Sequence, residues 1–227
     1  MKPEDLKSPF RWEQRRVLFQ DRVLYVPDYY DRYDEFSFPG WDDPAFFGNH
    51  NPVNVEYCSG NGAWVAGKAA ENPAINWVAV EQQFVRARKI WSKIKNHNLN
   101  NLIVICGEAA TATSHYFTSE SINEVYINFP DPWPKQRHAK NRLIRPSFIQ
   151  DVWRILQKGK RWTFVTDDPD YSELLLEEMG SCAGFSSCYP APHYVTDYPG
   201  YGTSYFDQLW REKGKLIRYH QFQKQAP

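Results

Sequence analysis

From Asn54 onward, short apolar runs alternate with longer stretches whose apolar positions recur at helical spacing. VNVEYC (53–58), WVAVE (77–81), NLIVIC (101–106), INEVYINF (122–129) and RWTFVT (161–166) have the length and β-branched or aromatic content of buried strands. Between them lie AWVAGKAAE (63–71), with small residues to face a sheet, and the basic stretch QFVRARKIWSKIKNH (83–97). From about Pro146 to Lys158, Phe148, Ile149, Val152, Ile155 and Leu156 share one helical face. YSELLLEEMGS (171–181) reads as a further helix. GFSSCY and, later, KLIRYHQFQ read as two last strands that pair antiparallel at an edge.

Strands separated by helices of this length predict a mostly parallel sheet with helices on both faces. The expected fold is therefore α/β and Rossmann-like, with seven strands. Residues 1–50 are rich in Pro, Asp, Tyr, Phe and Arg and keep neither period. They are expected to form an N-terminal extension packed on a core domain that spans 51–227. Its Arg11, Arg15, Arg16 and Arg22 form either a second basic surface or a set of solvated charges.

Bulk properties narrow the picture without deciding it. A chain of 227 residues fits one large α/β domain that needs no disulfide or metal staple. Its 27 basic and 27 acidic residues balance, so only their distribution can point to a polyanionic partner. Cys58, Cys106, Cys182 and Cys188 show no CxxC pair and no metal-ligand spacing, which predicts reduced, structural thiols and a cytoplasmic protein. No apolar run approaches membrane-spanning length. Neither a membrane nor a metal is expected as a partner, and the chain is expected to work as a monomer or homodimer.

The chemistry-bearing residues fall where strands end. In an open α/β sheet, ligands bind beyond the carboxyl ends of the strands. Glu56 lies near the end of the first predicted core strand, and Ser59-Gly60-Asn61-Gly62 turns into the helix after it. Glu81 ends the second strand, where a carboxylate takes hydrogen bonds from ribose hydroxyls. Gly107-Glu108-Ala109 follows the third, in reach of an adenine amino group. Each feature alone is ordinary, and the glycine turn is an incomplete fingerprint because Cys58 stands where its first glycine belongs. Together they predict adenosine binding. Acids crowding the turn repel a pyrophosphate but suit an ammonium, which favours S-adenosylmethionine over a dinucleotide or ATP.

After the fourth strand comes NFPDPWPKQRHAKNR (128–142). Pro130, Pro132 and Pro134 fix their own φ and restrict the residues before them, so Asp131 and Trp133 sit on a stiff loop. Between Lys135 and Arg145 there are five Lys or Arg residues plus His138, and no acid. A solvated basic face explains such a run in isolation. Directly after a rigid carboxylate, it also fits a nucleic acid whose base enters a pocket while its phosphates rest on the charges.

FPDPWPKQRHAKNR resembles the FPDPW-K-RH-K-R signature of bacterial tRNA (guanine-N7-)-methyltransferases, the TrmB family, over roughly residues 53–220. VEYCSGNG is similar to the family's glycine-rich cofactor loop, with Cys58 in place of a glycine. VTDD (165–168) resembles its T-D segment, and TSYFDQLWREKG its T-x-[YF]-E segment, with Ser204 or Thr203 for the Thr and Asp207 for the Glu.

The resemblance implies a class I methyltransferase fold with S-adenosylmethionine held by Glu56, Gly60, Asn61, Gly62, Glu81, Glu108, Ala109 and Asp131. It implies guanine contacts from Lys135, Asp167, Ser204, Tyr205 and Asp207, and RNA contacts from Arg137, His138, Lys140 and Arg142. Asp131 is the expected catalytic residue, and a guanine in the tRNA variable loop the expected target. Two other readings stay open at this point: an amino-methyltransferase acting on another RNA base, and a non-catalytic RNA-binding protein.

Overall fold

A computed structural model describes residues 1–202 and 204–225, with Gln136 described by its backbone alone. The chain divides into two compact units, Met1–Thr118 and Ser119–Pro227. The first holds β1 (Leu18–Gln20), β2 (Val23–Tyr25), β3 (Val53–Tyr57), α1 (Ala63–Glu71), β4 (Asn76–Glu81), α2 (Phe84–Asn96), β5 (Leu102–Cys106) and α3 (Ala109–Tyr116). Its strands run in the order β1-β2-β5-β4-β3, parallel throughout except for the β1–β2 pair.

The central strands are buried on both faces, as their unbroken apolar runs require. Val55, Val78, Ile103 and Val104 have no exposed surface, and Val65 of α1 and Ile90 of α2 pack with equal closure. Each such side chain stabilises the fold by about 1.5–3 kcal/mol through area removed from water. Trp64 meets Trp77 edge-on at 5.8 Å. An aromatic cluster forms where residues 36–47 pack against the rest of the unit. Trp41 contacts Phe38, Phe46 and Phe117 edge-on, and Phe36 meets Tyr116.

The second unit holds β6 (Ile122–Asn128), α4 (Pro146–Ile155), β7 (Leu156–Thr166), α5 (Pro169–Ser181), β8 (Phe185–Ser187), α6 (Tyr205–Glu212) and β9 (Arg218–Lys224). Its strands run β6-β7-β9-β8, with β6 parallel to β7 and the others antiparallel. The antiparallel edge expected from GFSSCY and KLIRYHQFQ is present.

Nine strands are found among the described residues, against the seven expected. The additional pair is β1 and β2, inside the stretch that shows no period. Three-residue strands are too short to display one. Asp21 (φ 51°) and Arg22 (φ 69°) make the two-residue turn between them, both in the left-handed region that primed hairpin turns demand. Arg22 is held there by its guanidinium, which donates to the carbonyls of Phe46, Asn100 and Leu102. Arg15 likewise donates to Trp12 O and Tyr29 O. These two arginines bind backbone instead of forming a basic surface.

Candidate cofactor and substrate sites

In the first unit, β2, β5, β4 and β3 are adjacent and parallel, so their carboxyl ends lie along one rim. After β3 the chain makes a tight turn. Ser59 Oγ donates to Glu56 O (2.9 Å), and Gly62 N–H donates to Ser59 O (2.8 Å). Cys58 (φ 60°), Gly60 (φ 56°) and Gly62 (φ 71°) all adopt the left-handed conformation. Gly62 caps α1, and a Cβ there would lie 2.6 Å from Ile90 Cγ1, so only glycine fits. Asn61 is exposed and its Oδ1 accepts Ala63 N–H at 3.0 Å.

Glu81 ties this turn to the next strand. Its Oε2 accepts Gly60 N–H at 2.8 Å and its Oε1 accepts Gln83 N–H at 2.8 Å. A carboxylate offers about four lone-pair sites, and vicinal ribose hydroxyls suit such a group. Glu56 is buried. Glu108 caps α3, accepting Thr111 N–H (2.8 Å) and Thr111 Oγ1–H (2.5 Å), and Ala109 opens that helix half-exposed. The Cys106 thiol between these acids is pushed up to about 12 by burial and by the charges of Glu81 and Asp28. A negatively charged rim with open backbone turns fits an adenosyl ligand carrying an ammonium and a sulfonium.

Sequence reasoning missed one contributor to this rim. Val26 N–H donates to Cys106 O at 2.9 Å, which extends β2 alongside the end of β5. Gly107 is needed for that approach, because a Cβ there would sit 2.5 Å from Val26 O. Two residues later Asp28 Oδ2 accepts from Gln82 Nε2 at 3.2 Å. Tyr33 then donates to Pro27 O (2.9 Å), accepts from Tyr116 OH through its carbonyl (2.8 Å) and meets the His115 ring at 4.7 Å with the planes tilted. The sequence gives little warning of it, since Asp21-Arg22 lacks the glycine or asparagine that marks a primed hairpin turn.

In the second unit, Asp131 is exposed on the loop after β6. The loop's shape is fixed by more than its prolines. Phe129 N–H donates to Val165 O at 2.9 Å, and Phe129 (φ 48°) and Trp133 (φ 45°) are both left-handed. Arg142 Nε donates to Pro132 O (3.0 Å) and its Nη2 to Trp133 O (3.1 Å). That guanidinium therefore serves the loop itself. Lys135, Arg137 and Lys140 are exposed along a 3₁₀ segment, Gln136–Asn141, while half-buried His138 meets Trp133 edge-on at 5.5 Å.

Asp167 follows β7 and is ion-paired with Lys215, whose ammonium also lies 4.1 Å over the Trp210 ring. Ser204 caps α6 by accepting Asp207 N–H at 3.1 Å, and Tyr205 is exposed. Asp207 is turned inward. It accepts Tyr219 OH at 2.5 Å and Arg211 Nε at 3.2 Å, and burial with that hydrogen bond pushes the Tyr219 phenol up to about 12. Thr203, the alternative to Ser204, lies outside the described residues.

A family model described as "Putative methyltransferase" matches residues 50–218. A tRNA (guanine-N(7)-)-methyltransferase of Chlamydia muridarum is 46% identical over 226 residues, covering 100% of this chain and 99% of its own. The chain belongs to the tRNA (guanine-N7-)-methyltransferase family. A more distant tRNA (guanine-N(7)-)-methyltransferase, from Syntrophotalea carbinolica, is 31% identical over 88% of this chain and 85% of its own. The fold is also that of solved methyltransferases. The 16S rRNA methyltransferase KamB superposes with a TM-score of 0.57 at 15% identity, over 79% of this chain and 91% of its own. An rRNA methylase from Streptococcus thermophilus gives 0.54 at 13% identity, over 78% and 89%. The fold and family expected from the FPDPW stretch and the strand-end acids are thus borne out for this tRNA (guanine-N7-)-methyltransferase family member. No group of three or more His, Cys, Asp or Glu among the described residues is placed to hold a metal, and no helix there is long and apolar enough to cross a membrane.

Proposed function

We propose that this chain transfers the methyl group of S-adenosylmethionine to N7 of a guanine in tRNA, within the variable loop, and that the residues above divide the work. The 46% identity along its whole length to a tRNA (guanine-N(7)-)-methyltransferase carries the reading. S-adenosylmethionine supplies a methyl carbon made electrophilic by its sulfonium. Glu81 takes the ribose hydroxyls, Glu108 and Ala109 the adenine, and Glu56 with the Gly60-Asn61-Gly62 turn the methionine end.

Guanine N7 carries an available lone pair, so no proton leaves before attack and no general base is required. What the protein supplies is alignment, a contribution that reaches about 7–11 kcal/mol in well-oriented systems, and control of charge. The guanine ring becomes cationic as the bond forms, which a carboxylate held nearby favours. Asp131 fills that role, on a loop whose backbone Arg142 pins. Carboxylates also accept from guanine N1–H and the exocyclic amino group, which adenine does not match. Asp167 serves there once Lys215 yields it. Asp207, occupied by Tyr219 and Arg211, acts by positioning Ser204 and Tyr205 at the start of α6. Lys135, Arg137, His138 and Lys140 meet RNA phosphates.

The test is methyl transfer to unmodified tRNA, with the product mapped by nuclease digestion and mass spectrometry. N7-methylguanosine in the variable loop is the expected product, and a methyl on an exocyclic amine refutes the reading. Asp131→Ala is expected to abolish turnover while S-adenosylhomocysteine binding, measured by calorimetry, persists. Near-normal turnover in that variant removes Asp131 from its role.

A further inference from the structure

Between Glu81 and Glu108 there is no acidic residue, and Arg86, Arg88, Lys89, Lys93 and Lys95 all fall in α2. In a chain whose charges balance overall, this is a local excess of one sign. The helix is amphipathic in the ordinary way. Ala87, Ile90, Trp91 and Ile94 are buried, while Val85, Arg86 and Lys89 are exposed and Lys93 half-exposed on the other side. Lys95 pairs with Asp21, and Arg88 lies over the Phe84 ring at 5.3 Å. Among the described residues, no carboxylate pairs with Arg86, Lys89 or Lys93.

The position of this face matters as much as its charge. Gln83, the residue before α2, donates its N–H to Glu81, the same carboxylate that accepts from Gly60 in the glycine turn. The basic face therefore starts at the cofactor rim and runs away from it. Arg86, Lys89 and Lys93 are spaced about 4.5 and 6 Å along the helix axis. Three uncompensated cations in a row suit a polyanion better than a compact acidic ligand, which one guanidinium would satisfy.

We propose that the outer face of α2 is a phosphate-contacting surface for the tRNA, additional to the basic run at 135–145. The inference rests on the reading of the chain as a tRNA methyltransferase. In this arrangement Arg86, Lys89 and Lys93 each neutralise a backbone phosphate, without reading sequence.

The test compares wild type with Arg86→Gln/Lys89→Gln/Lys93→Gln and with the corresponding Glu triple variant. Thermal melting and S-adenosylhomocysteine titration establish that fold and cofactor binding are kept. Filter binding of unmodified tRNA is then followed over a salt series. Loss of three contacts is expected to reduce the slope of log affinity against log salt by about 2–3, and each single Gln variant by about 0.7–0.9. The single variants keep the proposal testable if a triple variant does not fold. The Glu triple variant is expected to bind more weakly than the Gln one. If wild type binds and methylates tRNA while the variants keep its affinity and slope, the α2 surface alone is overturned. If affinity falls with the slope unchanged, a phosphate contact is likewise overturned. Wild type that binds no tRNA overturns both this surface and the functional reading.

Discussion

The Gln82 side-chain amide donates to Asp28 Oδ2 at 3.2 Å, joining the residue after Glu81 to a segment of chain more than fifty positions earlier. Glu81 and Gln82 begin the turn from β4 into α2, and Asp28 follows the strand that flanks β5. The extension therefore helps to fix the turn that follows Glu81, the carboxylate we propose for the ribose hydroxyls.

Asp28→Ala is expected to raise the dissociation constant of S-adenosylhomocysteine about 3- to 10-fold, the effect of one lost hydrogen bond of roughly 1 kcal/mol. Calorimetric titration reads this directly. An unchanged constant would show that Gln82 holds its place without help.

Cys58 bears a left-handed φ of 60° where a glycine would bear none of the strain. That conformation costs a non-glycine residue roughly 1–2 kcal/mol, and the greater unfolded-state freedom of glycine offsets about half of it. Cys58→Gly is thus expected to shift unfolding free energy by less than about 1 kcal/mol, and not toward severe loss. Denaturant titration alongside cofactor binding checks both sides. A marked fall in affinity would show that the cysteine side chain itself contacts the ligand.

Gly62 combines positive φ with an absence of room beside Ile90. Gly62→Ala should destabilise the fold by more than about 1 kcal/mol, because strain and steric overlap add. The same variant should lose cofactor affinity, since Gly62 sets where α1 begins. Retained stability by thermal melting would contradict the first statement, and an unchanged S-adenosylhomocysteine titration the second.

His220 is fully buried in β9, with Nε2 2.9 Å from Ser172 Oγ and Nδ1 2.9 Å from His193 O. Burial lowers its pKa from 6.5 to about 4. A depressed native pKa means that the unfolded chain takes up the proton first. The stability it supports is complete above pH 6.5, declines as pH falls toward 4, and amounts to about 3 kcal/mol. His220→Gln should flatten the melting temperature across that window, and an unaltered pH profile would sink the assignment.

The core strands from β3 to β7, the helices α1, α2, α4 and α5, and the acids at their ends were legible in the chain. Each rests on a local pattern, an apolar run or a helical period closed by a glycine or an acid. What escaped was set by tertiary contact. β1 and β2 are three residues each and hold their places by pairing and by the Arg22 guanidinium. Asp207 was readable as part of a motif. Its inward turn depends on Tyr219, twelve positions later, and no local rule anticipates that. The α6 start was encoded more plainly, as a serine three residues before an aspartate.

Arg142 gives its guanidinium to Pro132 O and Trp133 O, and so is fastened to the loop that carries Asp131. An alanine scan of the basic run will therefore mix two kinds of defect under one heading. Lys135, Arg137 and Lys140 variants should lose salt-sensitive attraction and recover when tRNA is raised. An Arg142 variant should stay slow at saturating tRNA, with its salt slope nearly unchanged, because it has lost the aim of a carboxylate and not the grip on a phosphate.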